Sequence, residues 1–199
     1  MESAKILIYD GSFNGFLTAV YKAFEKSWNV ADIKKMGDWN DDLFVNTESI
    51  KTDTHLAKQV WNGIAKKNNV AIKRIYFSFL SEHQDIELLL FKYILFIMER
   101  LAPDAWNELP ETIDMLNSLV GKVEKEKRRM EVFAQFQLAK ENSDYVHLKP
   151  KYNILPLLSK HLRQTEKGKH WQVFDDKRKY GIGYSFGRLE IVSNISSVA

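Results

Sequence analysis

From Ile86 to Met98 every residue except Glu87 and Lys92 is apolar, and this run constrains the fold more than any other segment. It is too short and too interrupted for the ~20 residues that a bilayer requires. The spacing predicts a helix over Asp85 to Leu101, apolar on most sides. Such a helix belongs at the centre of a packed domain. The rest of the chain can supply the packing: 199 residues with 45% hydrophobic and 13% aromatic content suffice for one well-buried core or two small ones.

On the N-terminal side, AKILIY reads as a strand ended by Asp10-Gly11. Ser12 or Asn14 can cap the next segment, where Phe16, Leu17, Val20, Tyr21 and Phe24 recur at helical spacing. Leu43-Phe44-Val45 reads as a short strand within a polar stretch. Thr52 or Asp53 then opens a helix reaching Lys66, with Leu56, Val60, Trp61 and Ile64 on its inner face, and a further helix covers Val70 to Leu80. Beyond a bridge containing Pro103 and Pro110, Glu111 to Val132 reads as a long helix weakened at Gly121.

After that helix the pattern changes. Phe133, Gln135 and Gln137 alternate with Phe136 and Leu138, which predicts a strand and a hairpin with YVHLK. Asn153 is placed to cap ILPLLSKHLRQ, whose Pro156 suits a first helical turn. WQVFD, KYGIGYSF and RLEIVS complete an antiparallel meander. The expected class is α+β: a single domain over 1–199, helix-rich through 132 and strand-rich over 133–195.

Several chemistries are excluded. The chain has no cysteine, so it offers no disulfide, thiolate nucleophile or cysteine-ligated metal cluster. No GxGxxG or P-loop follows the first strand, and no two of the five histidines form HExxH. Neither a metal nor a cofactor is expected. The segment MESAKILIYDG lacks the character of a secretory signal, so the expected location is cytoplasmic, away from membranes.

Charge is distributed unevenly. Residues 1–109 carry 13 Lys/Arg against 15 Asp/Glu, whereas residues 110–199 carry 16 against 11. Arg128 and Arg129 at the end of the long helix, with Lys177 and Arg178 in the last turn region, are the candidate nucleic-acid contacts. The bland alternative is a solvated helix face, because Glu124, Glu126 and Glu131 sit at pairing distances along it. A second candidate is the end of the first strand, where Tyr9, Asp10 and Phe13 can form a specificity pocket beside a helix N-terminus. There Asp10 is either a general base or a brace for its own turn. His161 is either an electrostatic partner of Asp10 or a core or capping histidine.

Four blocks, YDGSFNGFLTAVYKAF (9–24), RRMEVFAQF (128–136), YVHLKPKYNILPLLSKHL (145–162) and WQVFDDKRKYGIGY (171–184), together carry a family resemblance. The chain resembles a bacterial family assigned to DNA metabolism or DNA repair that carries a DUF4130-type domain. Tyr9, Asp10, Gly11 and Phe13 match its first block. Arg129, Met130, Phe133 and Phe136 match the second, with Gln137 where a basic residue is usual. Pro150, Leu155, Pro156, Leu157 and His161 match the third, and Trp171, Asp175, Arg178 and Tyr184 the fourth. The family's domain stands alone or is fused to a uracil-DNA glycosylase-like domain, and the stand-alone form is encoded beside a radical SAM DNA-repair protein.

The resemblance implies an accessory protein that binds DNA and works with a radical SAM partner, whose cofactor would be the partner's own. Two alternatives stay open. One is a hydrolase acting on a nucleobase or nucleotide through Asp10 and His161. The other is a protein adaptor that makes no DNA contact, marked by an apolar patch near Leu101–Leu109 or the last hairpin.

Overall fold

The computed structural model describes residues 4–38, 46–140 and 144–193. The chain is α+β, as the sequence predicts, and divides into two compact units. The first comprises residues up to Phe79 and His83–Ser118, the second Leu80–Glu82 and the chain from Leu119.

The first unit is built on three parallel strands. Strand β1 (Lys5–Tyr9) lies between β2 (Val30–Lys35) and β3 (Thr47–Ser49). Parallel neighbours need a crossover, and helix α1 (Phe13–Lys26) supplies it between β1 and β2. Leu7, Ile8 and Tyr9 are all buried, the mark of a strand covered on both faces. Ser12 starts α1 by accepting the Gly15 amide, and Ser27 ends it in the left-handed region at φ 53°.

Helix α2 (Thr54–Lys67) is capped by Asp53, which accepts the amides of His55 and Leu56. Thr18 Oγ1 accepts the Asp53 amide at 3.1 Å, which fixes the start of α2 against α1. Helix α3 (Asn69–Leu80) follows, then α4 (Ile86–Ile97), the predicted apolar helix. Ile86, Leu90, Phe91, Tyr93, Ile94 and Ile97 of α4 are buried, each large apolar side chain contributing about 1.5–3 kcal/mol. Strand β2 has no counterpart among the elements expected from sequence, and the expected strand at Leu43-Phe44-Val45 lies outside the described residues.

The second unit corrects three expectations. Helix α5 (Leu109–Lys140) does not stop at Val132 but continues for two further turns. Ala134 and Leu138, four residues apart, are buried there while Phe133 and Phe136 stay exposed, so the helical period prevails over the two-residue alternation. Hence the expected first hairpin is not formed. Strand β4 (Tyr145–Leu148) pairs in parallel with β5 (Trp171–Asp175), and α6 (Leu155–Thr165) is the crossover between them. Asn153 does not cap α6. Its side-chain oxygen accepts the Tyr180 hydroxyl at 2.5 Å, and Ile154 occupies the cap position without a side-chain bond.

Strands β6 (Tyr180–Ser185) and β7 (Arg188–Ser193) complete the order β4-β5-β6-β7 as the predicted antiparallel meander. Leu155, Leu158 and Leu162 of α6 are buried with Val146, Leu148, Trp171, Val173 and Ile182 of the sheet. Among the described residues no helix is long and apolar enough to cross a membrane.

Candidate functional site

At the carboxyl end of β1 the structure holds Tyr9 and Asp10 tightly in the scaffold. Tyr9 is fully buried and its hydroxyl donates to Glu87 Oε1 at 2.7 Å. Lys35 Nζ lies 3.6 Å from the same oxygen. Burial, and then the adjacent Glu87 carboxylate, push the Tyr9 phenol far above its ordinary range. A tyrosine so enclosed braces β1 against α4 and offers nothing to an incoming ligand.

Asp10 is exposed, and both of its carboxylate oxygens accept hydrogen bonds. Its Oδ1 accepts the Ser12 amide at 2.9 Å and the Ser12 hydroxyl at 2.7 Å, and its Oδ2 accepts the Thr52 hydroxyl at 2.8 Å. Burial raises its pKa, but the hydrogen bonds from Ser12 and Thr52 outweigh that and leave it below the ordinary carboxylate value. A general base working near neutral pH needs a raised pKa, and that of Asp10 is lowered. Asp10 has the surroundings of a turn brace.

Phe13 differs from both. It opens α1 half-buried, with its ring centroid 5.4 Å from Trp61, 5.0 Å from Tyr76 and 5.0 Å from Phe79. It therefore lines an aromatic surface reached from outside.

His161 lies on α6 in the second unit, and its Nε2 is buried without a hydrogen-bond partner among the described residues. The hydrogen bonds of Asp10 run to Ser12 and Thr52, not to an imidazole.

Two of the four basic candidates, Lys177 and Arg178, meet at one main-chain carbonyl, and a third, Arg129, shares a carboxylate with the amide of the same residue. The Lys151 amide donates to Glu126 Oε1 at 2.9 Å, and Arg129 Nη2 donates to that same oxygen at 2.9 Å. The Lys151 carbonyl accepts Lys177 Nζ at 3.3 Å and Arg178 Nη2 at 3.1 Å. The α5 face, the loop after β4 and the β5–β6 turn thereby present their cations side by side. Arg128 is exposed and makes no ion pair with the described residues.

Arg178 occupies a distinct position within this group. Its guanidinium clamps Glu82 through Nε and Nη2, at 2.9 and 2.6 Å, and donates to Asp175 through Nη1 at 2.8 Å. Its side chain is only 10% exposed and that of Asp175 is 0%. Burial lowers the Arg178 pKa, but the hydrogen bonds to Glu82 and Asp175 outweigh it and hold the group above its ordinary value. Both faces of its fork are occupied, so it organises the β5–β6 turn. On the same three segments Arg128, Arg129, Lys149, Lys151, Lys177 and Lys179 are exposed. Glu82 and Glu126, which order the cluster, carry no sequence signal of that role; Glu82 lies 96 residues from its partner.

Comparison with known proteins bears on the second unit above all. No curated protein and no solved structure matches the chain. One family does, described as "Domain of unknown function (DUF4130)", over residues 84–197. The match takes in α4, α5 and the whole β4–β7 sheet, including Glu126, Lys151, Lys177 and Arg178, and leaves out Glu82 and the β1–α1 block. It spans more than half of the sequence, and the chain belongs to the DUF4130 family.

Proposed function

We propose that this protein is a nucleic-acid-binding accessory factor of DNA metabolism, working beside a radical SAM enzyme. The carrying observation is that Lys177 and Arg178 meet at the Lys151 carbonyl while Arg129 shares Glu126 with the Lys151 amide. The local acids are already committed there: Glu126 to Arg129, and Glu82 and Asp175 to Arg178. On the same segments Arg128, Lys149, Lys177 and Lys179 are exposed without an acidic partner among the described residues. Residues 119–199 carry 16 Lys/Arg against 9 Asp/Glu, so the surplus is regional as well as local. Such a surface tracks phosphates without reading sequence.

The radical SAM partnership is supported by the family resemblance of the four sequence blocks. Its iron–sulfur chemistry would reside in the partner, because a chain without cysteine cannot supply thiolate ligands.

The test is a fluorescence-anisotropy titration with labelled single- and double-stranded DNA across a range of salt concentrations. The comparison is with an Arg128→Ala/Arg129→Ala/Lys149→Ala/Lys177→Ala variant that retains Arg178. Wild type is expected to bind with an affinity that falls steeply with salt. In the variant the log–log slope should shrink by about one for each phosphate that it no longer neutralises, with an unchanged urea midpoint. No binding to either DNA at low salt would sink the proposal.

The last hairpin favours a second reading, a protein adaptor without DNA contact. Phe186 is 91% exposed and Ile191 80%, with Leu189 beside them on the same hairpin. Large apolar side chains grouped on an edge strand suit a protein partner. The same titration separates the two readings, since an adaptor leaves the anisotropy flat at every salt concentration.

A further inference from the structure

The first unit contains a cavity of about 440 Å³ whose walls come from the opening turns of α1 and α2 and from α3. Three of its side chains are aromatic. Phe13 meets Trp61 at an interplanar angle of 88° and Tyr76 at 61°, and Trp61 meets Tyr76 at 75° with centroids 6.4 Å apart. The remaining lining includes Asn14, Thr54 and Lys58. The size falls in the range of small-ligand sites.

The chemistry of the walls selects the ligand. Aromatic rings are electron-rich on their faces and electron-poor at their edges. A flat ligand lying on one of these mutually tilted rings has the edges of the others at its rim. That arrangement favours a planar ring whose rim carries carbonyl oxygens and ring nitrogens. A quaternary or methylated ammonium would have to tolerate a competing cation, because Lys58 lines the cavity. No carboxylate is among the lining residues, so the electrostatic preference is for an anion.

The Asn14 side-chain amide, the Lys58 ammonium, the Trp61 indole N–H and the Tyr76 hydroxyl make no hydrogen bond with other described residues. An amide that both donates and accepts is suited to the edge of a base. An exposed lysine four residues beyond Thr54 on the same helix face is suited to a phosphate.

We infer that this cavity is a binding site for a nucleoside monophosphate, with the base against Phe13, Trp61 and Tyr76, its edge at Asn14, and its phosphate at Lys58. The inference is independent of the DNA reading, because every residue named lies in the first unit and none belongs to the Lys151 cluster. A chain that fails to bind DNA can still show it, and the reverse.

The experiment uses the full chain and follows intrinsic tryptophan fluorescence during titration with AMP, GMP, CMP and UMP. Ribose 5-phosphate and inorganic phosphate serve as controls, and affinities are checked by calorimetry. At least one mononucleotide is expected to give a saturable quench that both controls lack. Trp61→Phe should abolish the quench while keeping an aromatic wall. Tyr76→Ala should weaken calorimetric binding by roughly tenfold or more by removing a stacking surface. Lys58→Gln, an exposed change that leaves the fold intact, should weaken the nucleotide and leave the corresponding nucleoside unaffected. The proposal is overturned if no mononucleotide saturates, if ribose 5-phosphate responds equally, or if Lys58→Gln and Trp61→Phe both behave as wild type.

Discussion

The guanidinium of Arg178 donates to the carboxylate of Asp175 at 2.8 Å, and the Asp175 side chain is wholly inaccessible to solvent. Asp175 also accepts the amides of Lys177 and Arg178 through Oδ1, at 2.9 and 3.0 Å, so one carboxylate closes the β5–β6 turn and pins its own counter-ion. Removing that counter-ion strands a buried charge, which costs more than an intact pair contributes. Arg178→Ala should therefore destabilise the protein by about 3 kcal/mol. Lys177→Ala, one residue away and exposed, should leave the urea midpoint within error. Equal midpoints for the two variants would remove the distinction between an ordering arginine and a phosphate-contacting lysine.

Gly15 presents a reversal of ordinary helix propensity. Replacing a helical glycine with alanine usually stabilises by about 1 kcal/mol. A Cβ at Gly15, however, would collide with Asp10 Oδ1 and lie 2.8 Å from Thr52 Oγ1. The knot that joins the β1 end to the approach to α2 would have to open. Gly15→Ala is expected to destabilise by about 2 kcal/mol instead, and its effect should be strongly non-additive with Asp10→Ala, since each breaks the same hydrogen bonds. Thermal and urea unfolding of the two single variants and the double variant supply the cycle; simple additivity would disprove the coupling.

Asp10 also sets an acid-side signature. Its folded pKa is depressed, so its stabilisation is fully present above the ordinary value of 3.8 and is lost as pH falls through the lower folded value. In Asp10→Asn the unfolding free energy should be lower at neutral pH and decline less steeply below pH 3.8. An acid limb parallel to that of wild type would show that Asp10 contributes nothing by this route.

What the sequence reveals depends on how local each feature is. Helix α4 is legible because its apolar run carries its own period and burial, and Asp53 is legible as a cap because capping is a contact within one turn. Strand β2 is not, since Val30–Lys35 is half polar and gains its place only through pairing with β1. The end of α5 is obscured because Phe133, Gln135 and Gln137 mimic a two-residue period that the buried Ala134 and Leu138 override. The candidate sites follow the same rule. Tyr9, Asp10 and Phe13 are close in sequence, yet their side chains meet different surroundings: a buried carboxylate, a turn, and an aromatic cavity. The Lys151 cluster draws cations from three distant segments, whose convergence only tertiary structure discloses.

Tyr9 gives the sharpest pH prediction. Its phenol is held neutral in the folded state by burial and by Glu87, so its folded pKa is raised above the ordinary value of 10.0. Above pH 10.0 the unfolded chain loses this proton and the folded chain keeps it, so the contribution is full below that pH and is lost as pH rises toward the folded value. Tyr9→Phe removes the ionisable group together with the hydrogen bond to Glu87, leaving a buried carboxylate one donor short. The variant should be less stable by about 1–2 kcal/mol at pH 8, and the gap should narrow as pH is raised above 10.0. In wild type, absorbance titration should show at least one tyrosine that ionises only on unfolding, and Tyr9→Phe should have one fewer. A gap between the two proteins that stays constant with pH, or a full complement of freely titrating tyrosines in the folded state, would contradict the buried Tyr9–Glu87 pair.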